Sequence, residues 1–231
     1  MKLLAIDTST EHATVALAIG DDVYSDEQGS LRQHAQLLLP MVEGLLTKAS
    51  IKLNQLDGII FGRGPGSFTG LRVACSIAKA LAYAHDLPLF PVSSLAAVAN
   101  EVYYTEPNLA SETQVLAMLD ARMQQVYWAC FSRDDSLPVE QVTAAEDVFA
   151  PTTPLIVAGV GLDAYAAQFS TSLQAQIIKQ RVVYPEARAM IRLVRQGMIQ
   201  AVSAAEALPV YVRELHFSKD ASKDVSKNRK T

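Results

Sequence analysis

The hydrophobic and polar positions at the start of the chain predict three strands. Residues 3–6 form a short apolar run that ends at Asp7, the pattern of a buried strand with a carboxylate at its C-terminal end. Residues 14–19 predict a second strand, and a turn at Gly20 leads into a third strand that begins at Val23. A pair of hairpin-linked strands is therefore expected directly after the acid-tipped strand.

The pattern then changes to that of helices. Apolar residues between His34 and Lys48 recur on one helix face, and Pro40 inside this segment predicts a kink or a late start. The stripe consists of Leu37, Leu38, Met41, Val42, Leu45 and Leu46.

A glycine-rich loop follows the next predicted strand. Residues 57–61 predict a strand from the apolar Ile59, Ile60 and Phe61 and run into the loop at residues 62–70. A helix rich in small side chains is then expected to reach His85. Residues 87–92 predict another strand, and Ser93 can cap the helix that comes after it.

The second half of the chain repeats this order. An apolar run ended by Asp120 is followed by a hairpin partner at residues 126–131, and a later apolar strand ends at Gly159 as the earlier one ends at Gly62. Two similarities in the same order indicate a duplicated α/β unit, with a boundary near residues 104–111. The predicted fold class is α/β.

Composition and charge restrict the class of protein. Of the 231 residues, 50% are hydrophobic and 19% are charged, which excludes a chain that is disordered throughout. The net charge of −4 argues against a protein that binds nucleic acid unaided. Residues 216–231 contain five basic and two acidic side chains and so carry +3 against −7 for the rest. This tail is either a solvated terminus or a weak electrostatic arm for RNA.

The cysteines favour a reduced compartment, and the lengths of the uncharged stretches argue against a membrane span. Cys75 and Cys130 lie in separate apolar runs and form no C-x-x-C pair, so packing roles are expected. No uncharged stretch approaches the ~20 residues that a membrane span needs. A cytoplasmic protein is predicted.

Two segments could carry chemistry. Asp7, Thr8 and Ser9 place a carboxylate and hydroxyl groups at a strand end, where they could hold hydrated Mg²⁺ and phosphate, or form an ordinary polar turn. The glycine-rich loop before a helix could bind an anion, or could be a tight turn that strand–helix packing requires. It matches neither a Walker A loop nor G-x-G-x-x-G.

Other catalytic patterns are weak. The four histidines are scattered without a metal-ligand pair on one helix face, and Ser67 does not lie in G-x-S-x-G. Asp120 and Arg122 are expected to form a structural ion pair.

Five segments together resemble the TsaB (YeaZ) family. They are LLAIDTST at residues 3–10, GRGPGSFTGLR at 62–72, VSSL at 92–95, DAR with VYW within 120–128, and PVYVR at 209–213. The resemblance covers nearly the whole chain except the tail.

The resemblance implies a fold and a division of the chain. It implies two tandem RNase H-like (actin-like ATPase) subdomains with mixed sheets flanked by helices. Residues 1–104 would form the N-terminal subdomain with partner-binding helices, residues 105–215 the C-terminal subdomain, and residues 216–231 a flexible basic tail.

The resemblance also implies a function. The chain would be a non-catalytic scaffold for TsaD, which transfers threonylcarbamoyl from threonylcarbamoyl-AMP to N6 of the tRNA adenosine next to the anticodon. The ATPase TsaE would join the pair, tRNA would be met through the complex, and the chain could form a homodimer when TsaD is missing. The catalytic paralogue has a His-x-x-x-His metal pair, whereas residues 92–98 here contain no histidine.

The family's pairing surface implies the interface residues. They are His34, Leu37, Leu38, Met41, Val42 and Leu45 in the first helix, and Gly64, Pro65, Gly66, Ser67, Phe68, Thr69, Gly70 and Arg72 around the second. No catalytic residue, metal or cofactor of the chain's own is implied. ATP or ADP with Mg²⁺ at the shared interface is an open alternative, with Asp7, Thr8 and Ser9 as its contacts.

Two competing functions stay open at this stage. A small-molecule kinase of the actin/Hsp70/sugar-kinase superfamily, which the chain also resembles, would use Asp7 and the glycine-rich loops, although such kinases are usually about twice this length. A peptidase would need a metal pair or a nucleophile–base pair.

Overall fold

The structure, a computed structural model, describes residues 1–29, 34–133, 137–151 and 153–212. The predicted basic tail at residues 216–231 lies outside these ranges. The described residues form two five-stranded sheets with helices packed against them, so the predicted α/β class with two similar halves is confirmed.

The two sheets have the same topology. The first has the order β3-β2-β1-β4-β5 and the second β10-β9-β6-β7-β8, and in each a three-stranded antiparallel meander continues into two parallel strands. The strands of the first sheet are β1 (Lys2–Asp7), β2 (His12–Ile19), β3 (Asp22–Gly29), β4 (Gly58–Gly64) and β5 (Leu89–Ser93). Those of the second are β6 (Gln114–Arg122), β7 (Gln125–Phe131), β8 (Gln141–Ala144), β9 (Leu155–Val160) and β10 (Ile177–Val182).

Within the described ranges, five α-helices surround the sheets. They are α1 (His34–Lys48), α2 (Phe68–His85), α3 (Ser94–Thr105), the single turn α4 (Thr171–Gln174) and α5 (Ala187–Arg195). Ser67 and Ser93 cap α2 and α3, because their hydroxyl oxygens accept the N–H groups of Gly70 and Ala96. Pro40 lies within the span of α1.

The central strands are apolar along their length because both faces are covered. One face of the first sheet packs on α1 and α2. Its other face contributes to a core that it shares with the second sheet, with α3 and α5 between them. The remaining face of the second sheet packs around Trp128 and the short turns before α4.

The apolar stripe of α1 belongs to this core. Leu38, Met41, Val42 and Leu45 are buried against the first sheet, and Leu37 is half-buried against the same cluster. These four side chains therefore cover the chain's own sheet, and their contact with a partner stays a prediction. The backbone of His34 begins the helix.

The end of the described chain returns to the first sheet. Helix α5 packs on strands of that sheet, Leu89 and Val202 exchange backbone hydrogen bonds, and Val210 N–H donates to the carbonyl of Arg63 at 2.7 Å. The first sheet ends at residue 93 and the second begins at residue 114, so the chain passes from one sheet to the other near the predicted division. Residues 187–210 lie within the predicted C-terminal subdomain, residues 105–215, yet they pack on the first sheet, and the predicted division of the chain stays a prediction.

The remaining structural expectations concern the two cysteines, the Asp120–Arg122 ion pair and membrane-spanning helices. Cys75 is buried, Cys130 is half-buried and both are free thiols. Arg122 pairs with Asp120 at 3.1 Å on an exposed edge. No helix in the described ranges is long and apolar enough to cross a membrane.

Candidate functional site

Asp7 lies at the end of β1, fully buried at the junction of both halves. Its Oδ1 accepts the backbone N–H of Ser9 at 2.9 Å and the Ser9 hydroxyl at 2.7 Å. Its Oδ2 lies against Gly62, close to Met190 of α5, and has no hydrogen-bond partner within the part of the chain that the structure describes. The carboxyl group thus holds its own loop rather than facing solvent.

Burial raises the pKa of Asp7 to about 7, although the two hydrogen bonds from Ser9 act in the opposite direction. Near neutral pH a substantial fraction of this carboxyl group is therefore protonated. A neutral, enclosed carboxyl group is a poor ligand for Mg²⁺, which requires anionic oxygen and retains several waters.

The glycines of the loop before α2 are required for close packing against the residues that follow β1. A Cβ on Gly70 would overlap the carbonyl oxygen of Thr8, and one on Gly66 would overlap that of Ser9. Ser67 N–H donates to the carbonyl of Ser9 at 2.7 Å, and the Thr8 hydroxyl donates to the carbonyl of Gly70 at 2.7 Å. This loop is therefore filled by the chain's own backbone.

These residues do not fit a Mg²⁺–nucleotide at Asp7. The free oxygen of Asp7 points at Gly62, the hydroxyl of Thr8 is used within the fold, and Ser9 alone of the three lines an open cavity. Because Oδ2 of Asp7 lies directly against Gly62, there is no room for a hydrated cation between the two residues. The nucleotide-contact prediction for Asp7 and Thr8 has no support in this geometry.

The open cavity lies between the halves and measures about 700 Å³. Its lining includes Ser9 and Gly66 from the first half and Asp120 and Gly161 from the second. The Tyr165 hydroxyl donates to Asp120 at 2.7 Å, and burial together with that carboxylate raises the pKa of Tyr165 to about 12. The charged groups along its edge are Glu11, Asp120 and Arg122, a set that favours neither an anion nor a cation strongly.

The outer side of α2 carries an exposed apolar surface, here called the α2 face. It surrounds a shallow groove of about 510 Å³. Leu39 and Phe68 are each 49% exposed, which is unusual for large apolar side chains that lie together. The groove is lined by Leu39, Phe68, Thr69, Arg72, Val73, Ser76 and Ile77.

Arg72 lies at the edge of this face, where it contacts two aromatic side chains. Its guanidinium lies 3.8 Å from the centroid of the Phe68 ring, and its Nε donates to the Tyr211 hydroxyl at 3.1 Å. The Phe68 and Tyr211 rings are 5.3 Å apart. Stacking of this kind fixes a planar cation in one orientation at the surface.

The predicted interface residues thus separate into two groups. Phe68, Thr69 and Arg72 are exposed on the α2 face, and Gly66 and Ser67 are half-buried beside it. Gly64, Pro65 and Gly70 are buried like the stripe of α1. Sequence reasoning missed Leu39 and Tyr211 as members of this surface, although Tyr211 lies in the PVYVR segment.

A metal centre has little basis in the described residues. Within them, no three His, Cys, Asp or Glu side chains lie close enough together to hold an ion. Residues 92–98, which form the end of β5 and the start of α3, are almost entirely buried and supply packing groups.

Comparison with known proteins gives relatives over most of the chain. A family model described as "TsaD: tRNA N6-adenosine threonylcarbamoyltransferase" matches residues 27–220. The "tRNA threonylcarbamoyladenosine biosynthesis protein TsaB" of Haemophilus influenzae is 33% identical and covers 92% of this chain and 94% of its own length. The Escherichia coli protein of the same description is 41% identical over 59% of this chain and 57% of its own length.

Solved structures agree over the same range. "YeaZ from Pseudomonas aeruginosa" is 35% identical and covers 91% of this chain and 99% of its own, with a TM-score of 0.81. A second Pseudomonas aeruginosa structure, an uncharacterized protein with similarity to peptidase YeaZ, is also 35% identical, covers 92% and 99%, and has a TM-score of 0.83. The chain therefore belongs to the TsaB (YeaZ) family.

Proposed function

We propose that this chain is a non-catalytic subunit of the machinery that makes threonylcarbamoyladenosine in tRNA. In this role it binds and supports TsaD, which transfers threonylcarbamoyl from threonylcarbamoyl-AMP to N6 of the adenosine next to the anticodon. The observation that carries the proposal is the exposed α2 face in a chain whose TsaB relatives match it over most of their length.

The chemistry of the α2 face supports protein binding. Burying Leu39 and Phe68 against a partner removes apolar area from water, which is the main favourable term in association. Arg72 is already ordered by Phe68 and Tyr211, so a carboxylate on the partner could bind it at a small entropic cost. An aromatic–arginine centre is a frequent hot spot in interfaces.

The buried environment of Asp7 at the end of β1 supports a scaffold role rather than a catalytic one. Asp7 is enclosed, uses Oδ1 to hold Ser9 and does not reach the cavity between the halves. We assign no catalytic residue, metal or cofactor to this chain. A bound nucleotide would belong to surfaces shared with TsaD or TsaE. The kinase alternative instead predicts that the isolated chain binds ATP, which calorimetry can measure.

Further parts of the proposal concern the assembly. TsaE binds the pair that this chain forms with TsaD, and tRNA binds to the assembled complex. The same α2 face allows a homodimer when TsaD is absent. The place of action is the cytoplasm.

A reconstituted reaction tests the proposal. The chain, TsaD, TsaE, ATP, threonylcarbamoyl-AMP and unmodified tRNA are combined, each protein is omitted in turn, and the modified nucleoside is measured by mass spectrometry. Modification should require TsaD and this chain together. Modification by this chain without TsaD, or unchanged modification when this chain is omitted, would contradict the proposal.

A further inference from the structure

Asp7 is a buried ionisable group that the proposed scaffold role does not use. Its side chain is fully enclosed, and Oδ2 accepts no hydrogen bond from any described residue. Ionising such a carboxyl group is unfavourable inside a protein, because nothing in the fold replaces the hydration that Oδ2 would have in water. Burial accordingly raises the pKa of Asp7 to about 7. The closed fold therefore favours the protonated form.

The hydrogen bonds from Ser9 are the contacts that favour the ionised form of Asp7. The charged side chains on the elements around Asp7 make their own contacts elsewhere, so no cation among them compensates a charge on Asp7. These contacts join Glu11 to Tyr184, which also stacks on His12, Arg63 to Glu140, Arg188 to Glu186, Arg192 to Glu101, and Arg195 to the carbonyl of Gly20.

Water can reach Asp7 by two routes. One passes α5, where Met190 lies close to Asp7 and is fully buried in the core that the two sheets share. Opening this route exposes part of that core. The other route passes the loop after β1, because Ser9 lines the open cavity between the halves and also binds Asp7. Moving this loop exposes much less apolar area, so it is the more favourable route.

The same loop is held against the start of α2. Ser67 N–H donates to the carbonyl of Ser9 at 2.7 Å, and Ser67 is the N-cap of α2. A movement of Ser9 away from Asp7 into the cavity therefore breaks the contact between the loop and the start of α2. Phe68, the next residue, belongs to the α2 face.

We propose that Asp7 is a pH-sensitive switch at the start of α2: the protonated carboxyl group keeps the loop closed on Ser67, and loss of the proton to solvent opens the loop into the cavity. In the open loop the carboxylate is hydrated and its pKa returns toward the ordinary value of 3.8, against about 7 in the closed one. The closed state binds the proton more tightly, so opening becomes more favourable from about pH 4 to about pH 7 and levels off above that.

The switch acts on the surface that the proposed function assigns to TsaD, but it operates in the chain alone and is tested there. Amide hydrogen exchange is followed by NMR and corrected for the intrinsic pH dependence of exchange. The Ser67 amide reports the loop contact, and the amide of Leu4, in the middle of the central strand β1, reports unfolding of the whole chain.

Ser67 should be less protected than Leu4, because the loop opens without global unfolding. Its protection should fall by more than about tenfold from pH 5 to pH 7, since each pH unit between the two pKa values favours opening up to about tenfold. Constant protection of Ser67 over this range, or protection equal to that of Leu4 throughout, would overturn the proposal.

Two variants assign the effect to Asp7. Asp7→Asn cannot ionise, so the protection of Ser67 should become nearly independent of pH. Ser9→Ala removes the hydroxyl that favours the ionised form, which raises the pKa of Asp7 further, so protection should continue to fall above pH 7.

Ser93→Ala is the matched control for Ser9→Ala. It removes a buried hydroxyl at the start of α3, where Ser93 accepts the N–H of Ala96, and it should leave the pH profile of Ser67 unchanged. Thermal unfolding verifies that each variant is folded. If Asp7→Asn does not fold, Ser9→Ala decides alone: a pH profile equal to that of the unmodified chain would contradict the proposal.

Discussion

Thr8 and Gly70 fix the start of α2 against the end of β1. The hydroxyl of Thr8 donates to the carbonyl of Gly70 at 2.7 Å, and the Thr8 carbonyl oxygen occupies the space where a side chain on Gly70 would begin. Because the Thr8 carbonyl and the Gly70 Cα both belong to the backbone, an overlap between them could not be relieved by a change of rotamer. The orientation of the α2 face therefore depends on the absence of a side chain at position 70.

Gly70→Ala is expected to destabilise the fold strongly. The new Cβ would overlap the carbonyl oxygen of Thr8, so α2 must move away from β1 and break the Thr8 hydrogen bond. We expect a loss of about 3 kcal/mol or more in the free energy of unfolding, at the upper end of single substitutions. Denaturant unfolding measures it.

Gly44→Ala is the control for this prediction. Gly44 also lies in a helix, α1, but nothing lies within 4 Å of the Cβ it would gain. The free energy of unfolding should rise by about 0.5–1 kcal/mol, because alanine restricts the unfolded chain and favours the helix. If Gly70→Ala behaves like Gly44→Ala, the packing account of the loop is wrong.

Asp7 is expected to make the fold less stable as the pH rises. Its pKa is about 7 in the folded chain against 3.8 for an ordinary aspartate, so the folded state binds more protons between these values. The free energy of unfolding should therefore fall from about pH 4 to about pH 7 and the contribution should level off above that. At about 1.4 kcal/mol per pKa unit, the full loss is about 4 kcal/mol.

Asp7→Asn isolates this effect. The asparagine side chain keeps an oxygen for Ser9 and cannot ionise, so the difference in unfolding free energy between the two chains should grow in favour of the variant from pH 4 to 7. Other carboxyl groups titrate in both chains and cancel. Parallel pH profiles for the two chains would mean that Asp7 is already charged in the folded state.

The Arg63–Glu140 pair joins the end of β4 to the segment before β8. Its two hydrogen bonds measure 3.0 and 3.1 Å, and the Glu140 side chain is only 7% exposed. Glu140→Gln should lower the free energy of unfolding by about 1–3 kcal/mol, as expected for charge-assisted bonds in a partly buried site.

The exposed Arg122–Asp120 pair provides the comparison. The Arg122 side chain is 80% exposed, and Arg122→Gln should change the free energy of unfolding by less than about 0.5 kcal/mol. Thermal or denaturant unfolding of both variants decides the matter. Equal effects at the two positions would show that burial does not strengthen the Arg63 pair.

Local patterns in the sequence predict much of the fold. The period of α1, the small side chains of α2 and the cap at Ser93 predict the starts of three helices to within a residue or two, because these signals depend on neighbours in the chain. Strand β10 escaped prediction because it is an edge strand whose middle residues, such as Lys179, are exposed and polar. The return of α5 to the first sheet depends on contacts between distant residues, which no local pattern encodes.

The site is less predictable than the fold. A stripe such as Leu38 to Leu45 looks the same whether it covers the chain's own sheet or a partner, and here it covers the sheet. Glycines in this loop are equally compatible with a bound phosphate and with a close contact between backbone segments. The carbonyl oxygen of Thr8 lies against Gly70, so here the glycines serve the backbone contact. Tyr211 joins Arg72 and Phe68 across the fold, so its role appears only once the chain is folded.

Light scattering behind a sizing column tests the central claim most directly. The chain is mixed with its cognate TsaD, and the measurement is repeated with Phe68→Glu, Arg72→Glu and the control Ile178→Glu, which alters an exposed apolar residue on the edge strand β10. The account predicts a one-to-one complex for the unmodified chain and for Ile178→Glu, and separate proteins for the two α2-face variants. No complex with the unmodified chain, or complexes that persist in both α2-face variants, would contradict it.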